Sequence, residues 1–140
     1  MADTFQLEVA TPERQFVNEQ VSEAELPGKD GYIGVLAGHA PLLSALGAGV
    51  LTYKGGGGGE HVLAIDGGFL EIFENHVRVL ADHAEFAQDI QTDRARRELD
   101  EASEALKSVH DEGESDRALR AIKKAQAYLD AATRGSGRTQ

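Results

Sequence analysis

The sequence predicts a mixed architecture, β first and then α. A sandwich or small barrel of short strands occupies residues 1–87, an antiparallel helical hairpin occupies 88–134, and a short flexible tail follows at 135–140. Three observations carry this prediction. Glycine and β-branched residues dominate up to about residue 88, and after Gly68 no glycine occurs until Gly113. The first part is rich in short apolar–polar alternations, the two-residue period of half-buried strands. The second part carries two apolar seams at spacings of three and four, the signature of packed helices.

Along the chain, Phe5, Leu7 and Val9 alternate with Gln6, Glu8 and Ala10, which reads as a first strand. Thr11-Pro12-Glu13-Arg14 then makes a turn. Val21, Glu23 and Glu25 alternate with Ser22, Ala24 and Leu26 in a second strand. His61–Ile65, Phe69–Phe73 and Val77–Ala81 are three further short runs. Glu74-Asn75 suits a two-residue hairpin turn between the last two. Residues 55–59 are five consecutive glycines. A phosphate loop would need a lysine and a hydroxyl residue leading into a helix, whereas this run ends in Glu60-His61 and a strand. It reads as a floppy hairpin tip.

In the second part, Ala95, Leu99, Ala102, Leu106 and Val109 form one seam and Ala118, Ile122, Ala125, Leu129 and Ala132 the other. His110–Ser115 joins them, with Gly113 as the break and Ser115 as the N-cap of the second helix. Asp93 with Arg97 and Asp116 with Arg120 are expected as i,i+4 pairs. Alanine fills five of the ten seam positions. Small side chains allow close approach but bury little area, at roughly 25 cal/mol per Å². The hairpin is therefore expected to be marginally stable alone and to dock on something else or change partners.

Charge and composition exclude several functions. The 140 residues carry 24 acidic and 14 basic side chains, a net charge of −10. Residues 1–87 are strongly acidic and residues 88–140 nearly balanced. Such a protein has no positive surplus to exchange for phosphate counterions, so no nucleic-acid partner is expected. Cysteine is absent, which removes disulfides and thiolate chemistry and fits a reducing compartment. The N-terminus has neither the basic nor the apolar region of a secretion signal, and Asp3 does not suit a transit peptide. Between Asp30 and Lys54 no residue is charged, but Gly31, Gly34, Gly38, Pro41, Gly47 and Gly49 interrupt the window. That density of turn formers argues for buried strands rather than a membrane span. His39, His61, His76, His83 and His110 form no paired metal-ligand spacing, and no nucleophile motif is present. On residues alone, a free-standing β-sandwich ligand-binding or adaptor module and a small metal-dependent barrel enzyme stand as alternatives.

Two segments are more specific. One runs Leu26-Pro27-Gly28-Lys29-Asp30-Gly31-Tyr32-Ile33-Gly34-Val35-Leu36-Ala37-Gly38-His39-Ala40-Pro41-Leu42-Leu43. The other runs Ile65-Asp66-Gly67-Gly68-Phe69-Leu70-Glu71-Ile72, followed by Asn75 and Val77-Arg78-Val79-Leu80-Ala81-Asp82. Together they resemble the epsilon subunit of bacterial F-type ATP synthases, over residues 3 to about 132. The resemblance implies a flattened ten-stranded β-sandwich followed by two antiparallel helices. It implies a non-catalytic rotor subunit at the foot of the central stalk, between the gamma subunit and the membrane-embedded c-ring, which helps couple proton flow to ATP synthesis. Its place would be the cytoplasmic face of the bacterial cell membrane, without a span of its own. The hairpin would lie folded on the sandwich or extend along gamma into the catalytic alpha/beta head, where it blocks ATP hydrolysis.

The resemblance also implies site residues. The turn of Gly38, His39, Ala40 and Pro41, with Tyr32 before it, would face the c-ring and gamma. The sequence departs from the family at Ala37, where proline is common, and at Tyr32, where some members carry an acid. Arg117, Arg120, Lys123 and Lys124 would form a basic face able to meet the catalytic head, or simply a solvated helix face. Some members bind ATP on the folded hairpin. Glu85, Ile90, Arg94 and Ala95 match that motif, but Gln91 replaces its aspartate, Glu101 stands in place of an arginine, and Lys124 and Tyr128 replace further arginines. Lysine offers phosphate a point charge where arginine offers a fork. The implied site is vestigial, ATP binding is weak or absent, and no cofactor is expected.

Overall fold

The computed structural model describes residues 3–55 and 57–136. Six strands come first: β1 (Phe5–Ala10), β2 (Gln15–Gly28), β3 (Gly31–Leu36), β4 (Leu42–Gly55), β5 (Glu60–Phe73) and β6 (His76–Phe86). A 3-10 turn at Ala87–Asp89 leads into α1 (Thr92–Lys107) and α2 (Glu112–Ser136).

The alternation read in β1 is real: Phe5, Leu7 and Val9 are buried and the residues between them are half-buried. The Thr11 hydroxyl accepts the Glu13 and Arg14 amides at 3.3 and 3.4 Å and turns the chain into β2. The first half of β2 pairs antiparallel with β1, and its second half pairs with β3. β2 also pairs with β4, β4 with β5, and β5 with β6, all antiparallel. β6 returns to lie parallel to β1. The ladders thus close on themselves and β3 hangs from the outside of β2, which makes a flattened barrel with few open edges. Inside it, Phe5, Leu7, Leu26, Leu51, Leu63, Ile65, Leu70 and Ile72 form a continuous apolar core.

The fold is the expected β-then-α order, with six continuous strands where ten were implied. The runs His61–Ile65 and Phe69–Phe73, read as separate strands, are the two halves of β5. Gly67 and Gly68 join them at φ +74° and +117°. A Cβ on Gly68 would lie 2.1 Å from the Leu80 carbonyl oxygen, so only glycine fits here. The kink turns β5 from one layer to the other while its pairing with β4 and β6 continues on both sides. One long bent strand therefore does the work of two. Glu74 and Asn75 hold φ values of 48° and 63°, the left-handed pair of a type I′ turn, as the sequence predicts. The glycine run does tip the β4–β5 hairpin, where Gly58 donates to the Gly55 carbonyl at 2.9 Å. Gly56 lies outside the described residues.

In the hairpin, Ala95, Ala102, Ala118, Ala125 and Ala132 are buried along the seams. α2 begins at Glu112, not after Ser115. Asp111 caps it, its Oδ1 accepting the Glu114 amide at 2.8 Å. The Glu114 carboxylate in turn accepts the His110 amide at 2.7 Å. This acid-x-x-acid box satisfies donors that a start at Ser115 would leave unpaired. Of the ion pairs, neither Asp93 with Arg97 nor Asp116 with Arg120 forms among the described residues. On α1 the pair is Arg94 with Glu98, at 3.0 Å. Gly135 and Ser136 belong to α2 rather than to a tail, and 137–140 lie outside the described residues.

The hairpin lies against the barrel. α2 covers β4 and β5, with Ala131 seated among Val50, Val62, Ala64 and Ala87 and flanked by Ile90 and Tyr128. Farther along, Arg134 approaches Glu60 at 3.9 Å. A Cβ on Gly135 would lie 2.5 Å from the Ala87 Cβ, so glycine permits this close approach of helix to turn. α1 packs on α2 rather than on the sheet.

Candidate functional site

The turn singled out in the sequence sits where β3 passes into β4, at one end of the barrel. Ala37-Gly38 forms the bend, with Gly38 at φ +83° and the His39 amide donating to the Leu36 carbonyl at 3.2 Å. The Gly38 amide donates to Asn75 Oδ1 at 2.7 Å. Asn75 Nδ2 donates to the Thr4 carbonyl at 3.0 Å, and the Asn75 carbonyl accepts the Gln6 amide at 3.0 Å. One residue of the β5–β6 turn therefore ties together the turn, the start of β1 and its own hairpin. Asn75 stands in the matching segment, but no pattern local to it in the sequence points to this role. The His39 ring folds back on its own backbone, with Nδ1 2.7 Å from the Ala40 carbonyl. Ala40 and Pro41 are exposed.

Tyr32 lies on β3, separate from that turn in its bonding. Its hydroxyl accepts the Val50 amide at 2.9 Å. The reason is local: the β2–β4 pairing breaks between Glu25 and Gly28, which takes the Val50 amide out of that ladder. Gly49 makes room, since a Cβ there would lie 2.6 Å from the Tyr32 hydroxyl. Tyr32 thus fastens the barrel while its ring stays 55% exposed.

The same end of the barrel carries an apolar surface. Leu43, Phe69, Phe73 and Leu80 are more than half exposed, as is Leu36 before the turn. In the ladders Phe69 lies beside Leu80, and Glu71 sits between Leu43 and Arg78. Neighbouring large apolar side chains on an outward sheet face mark an interaction surface more often than chance exposure does. The sequence held a signal for it: Phe69-Leu70-Glu71-Ile72-Phe73 puts apolar residues on both phases of the strand. The rim is charged. Glu8 Oε2 is bound by His76 Nε2 at 2.8 Å and by Arg78 Nε at 3.2 Å. Those hydrogen bonds, from His76 first and then Arg78, hold the Glu8 carboxyl below its ordinary range.

A second place gathers residues singled out in the sequence. Glu85, Ile90, Gln91, Arg94, Ala95 and Lys124 all line one cleft of about 250 Å³ between the 3-10 turn and the two helices, with Asp89, Glu98 and Tyr128. Its charges answer one another. Glu98 holds the Arg94 guanidinium, and the Lys124 ammonium lies 5.7 Å from the centre of the Tyr128 ring. Burial, then Asp66, Glu85 and Glu98, push the Tyr128 hydroxyl up to about 12. Among the described residues the cleft sets Glu85, Asp89 and Glu98 against Arg94, which Glu98 holds, and Lys124, a poor match for a polyphosphate. Arg117, Arg120 and Lys123 are exposed, whereas Lys124 is half-buried in the cleft, so the four do not present one face. Among the described residues no cluster of three His, Asp or Glu could hold a metal ion. No helix among them is long and apolar enough to cross a membrane.

Comparison with known proteins agrees with this geometry. Residues 4–87 match the ATP synthase delta/epsilon chain β-sandwich domain. An ATP synthase epsilon chain of Solibacter usitatus is 56% identical over 107 residues, covering 76% of this chain and 79% of that one. One from Nitratidesulfovibrio vulgaris is 42% identical over 129 residues, covering 92% and 96%. Among solved structures, a chain of the Euglena gracilis mitochondrial ATP synthase (OSCP/F1/c-ring) superimposes with a TM-score of 0.81 at 24% identity, covering 93% of this chain and 81% of that chain, and supports the fold. A family match across the whole barrel, with relatives aligned through the hairpin, decides between the alternatives left by composition: the chain belongs to the ATP synthase epsilon family, non-catalytic subunits of the central stalk.

Proposed function

We propose that this chain links the gamma subunit to the c-ring at the foot of the central stalk, so that proton-driven rotation reaches the catalytic head. The observation that carries this is the exposed apolar surface of Leu43, Phe69, Phe73 and Leu80 beside the Asn75-tethered turn. These large apolar side chains face outward next to a rigidly held loop, whereas the twelve largest fully buried ones fill the barrel. The solved structure of a fold relative comes from an assembly that contains a c-ring, which supports the same reading. On this proposal the turn of Gly38, His39, Ala40 and Pro41 meets the ring, at the cytoplasmic face of a bacterial membrane. Tyr32 holds β3 in place behind it. The hairpin, docked here on β4 and β5, inhibits ATP hydrolysis by leaving the sheet for the alpha/beta head, with Arg117, Arg120 and Lys123 free to meet acidic surfaces there.

The test uses the cognate catalytic head with gamma but without this subunit. The full chain should co-sediment with it and slow its ATPase. Phe69→Glu with Leu80→Glu should abolish co-sedimentation while the isolated variant keeps its melting temperature to within a few degrees. Undiminished binding by that variant would place the docking surface elsewhere. Binding without any slowing of ATPase would remove the inhibitory role and leave the linking one.

A further inference from the structure

The docking face of α2 is otherwise small and apolar, with Ala131 and Tyr128 set against Val50, Val62, Ala64 and Ala87 and with Ile90, which precedes α1, beside them. One group in that region is out of keeping. Asp66 of β5 follows Val62 and Ala64 at the two-residue spacing that puts all three on the strand face under α2; it lies just before the Gly67–Gly68 kink and is half-buried. Its backbone belongs to the ladders, but its carboxylate makes no hydrogen bond and no ion pair among the described residues. The charged and titratable groups that face it come from two elements. Lys124 and Tyr128 belong to α2, and His83, its ladder partner, and Asp82 belong to β6. The Asp82 carboxylate is folded over Gly67, 2.6 Å from where a Cβ would stand, so a second negative charge adjoins the first.

We infer that Asp66 is a built-in release element for the hairpin: a carboxylate that α2 covers without supplying a hydrogen bond, so that its charge opposes docking and its neutralisation tightens it. The physical argument is desolvation. Ionised carboxylates are costly to cover unless hydrogen-bonded, and a lysine within electrostatic reach offsets part of that cost. Lys124 and Asp66 therefore form an opposed pair, one holding α2 down and the other pushing it off. The balance is visible in the acid itself: burial raises the Asp66 pKa, against the lowering influence of Lys124 and His83. A group whose pKa is raised in the docked state binds more protons there. Docking then strengthens as pH falls through that raised value and is weakest above it, where the carboxylate is ionised in both states. Tyr128 stays neutral through this range, and Asp82 adds to the cost of the charged form.

The inference rests on the proposed function only in requiring that the hairpin leaves the sheet. The chain has no cysteine, and Ala131 of α2 is fully buried against β4 and β5, so an Ala131→Cys variant of the full chain carries one thiol that reacts only when the hairpin is off. Its rate of maleimide labelling, normalised to the denatured chain at the same pH, reports release. Adding Asp66→Asn should slow labelling several-fold at neutral pH. Lys124→Gln should speed it with Asp66 present and change it little with Asn at 66. Labelling of the chain that keeps Asp66 should slow on acidification more than that of the Asn variant. The pH comparison stands even where the Asn substitution alters the barrel, because the unsubstituted aspartate is titrated. Equal or faster labelling with Asn, or a Lys124 effect independent of residue 66, overturns the inference alone. No labelling in any background would overturn both it and the mobile hairpin.

Discussion

The barrel and the hairpin bury apolar surface in opposite styles. Every one of the twelve largest fully buried side chains lies in the barrel, from Phe5 to Val77. Among the described residues, the buried ones of the two helices are all alanines: Ala95, Ala102, Ala118, Ala125, Ala127, Ala131 and Ala132. Large side chains interlock, and removing one leaves a void that close-packed neighbours cannot fill. Alanines allow two surfaces to meet and part with little repacking. The difference teaches that this chain combines a part fixed by side-chain volume with a part fixed by shape and a few charges.

The sharpest way to break that comparison is to truncate one side chain on each side. Leu63→Ala should cost the barrel about 3 kcal/mol, read as a lower urea midpoint in circular dichroism. Ala125→Gly should cost the hairpin only about 1 kcal/mol, without shifting the barrel transition. Equal losses would show one shared core. The next effect is at the contact between them. Ala131→Glu places a charge on the docking patch. It should raise hydrogen exchange throughout α2 while the barrel's own stability changes by less than about 1 kcal/mol. A matching loss in the barrel would show that α2 is part of its core. The smallest effect sharpens the charged rim. Glu8, held below its ordinary pKa by His76 and Arg78, contributes stability that is present above its unfolded value and is lost as pH falls through the lower folded one. Glu8→Gln should flatten the acid limb of barrel stability and leave the alkaline limb alone.

Features coded by neighbouring residues were legible in the sequence. The alternation of β1, the Glu74-Asn75 turn and both alanine seams depend on residues close in the chain, and each stands where it was read. The kink at Gly67-Gly68 was read as an end of a strand, because a glycine pair breaks local pattern whether the ladder stops or only bends. The Asp111–Glu114 cap was missed beside Ser115, since both are good caps and only the amide geometry chooses. The candidate turn was legible, and so was the set of cleft residues, which the fold does bring together. What made the turn rigid was not legible: Asn75 reaches Gly38 across 37 positions of sequence, and no local pattern encodes such a bond. The hydroxyl of Tyr32 is the same case, filling a gap that exists only because β2 parts from β4.

The bent strands have one mechanical consequence. β4 and β5 each give one half to the face under α2 and the other to the exposed apolar end. A load applied at that end and resisted at the helix runs lengthwise along both strands. Their ladder must then slide as a whole, many hydrogen bonds at once, rather than peel open one at a time. The Gly67–Gly68 kink of β5 changes the direction of that load without interrupting it, so the barrel behaves as a stiff elbow.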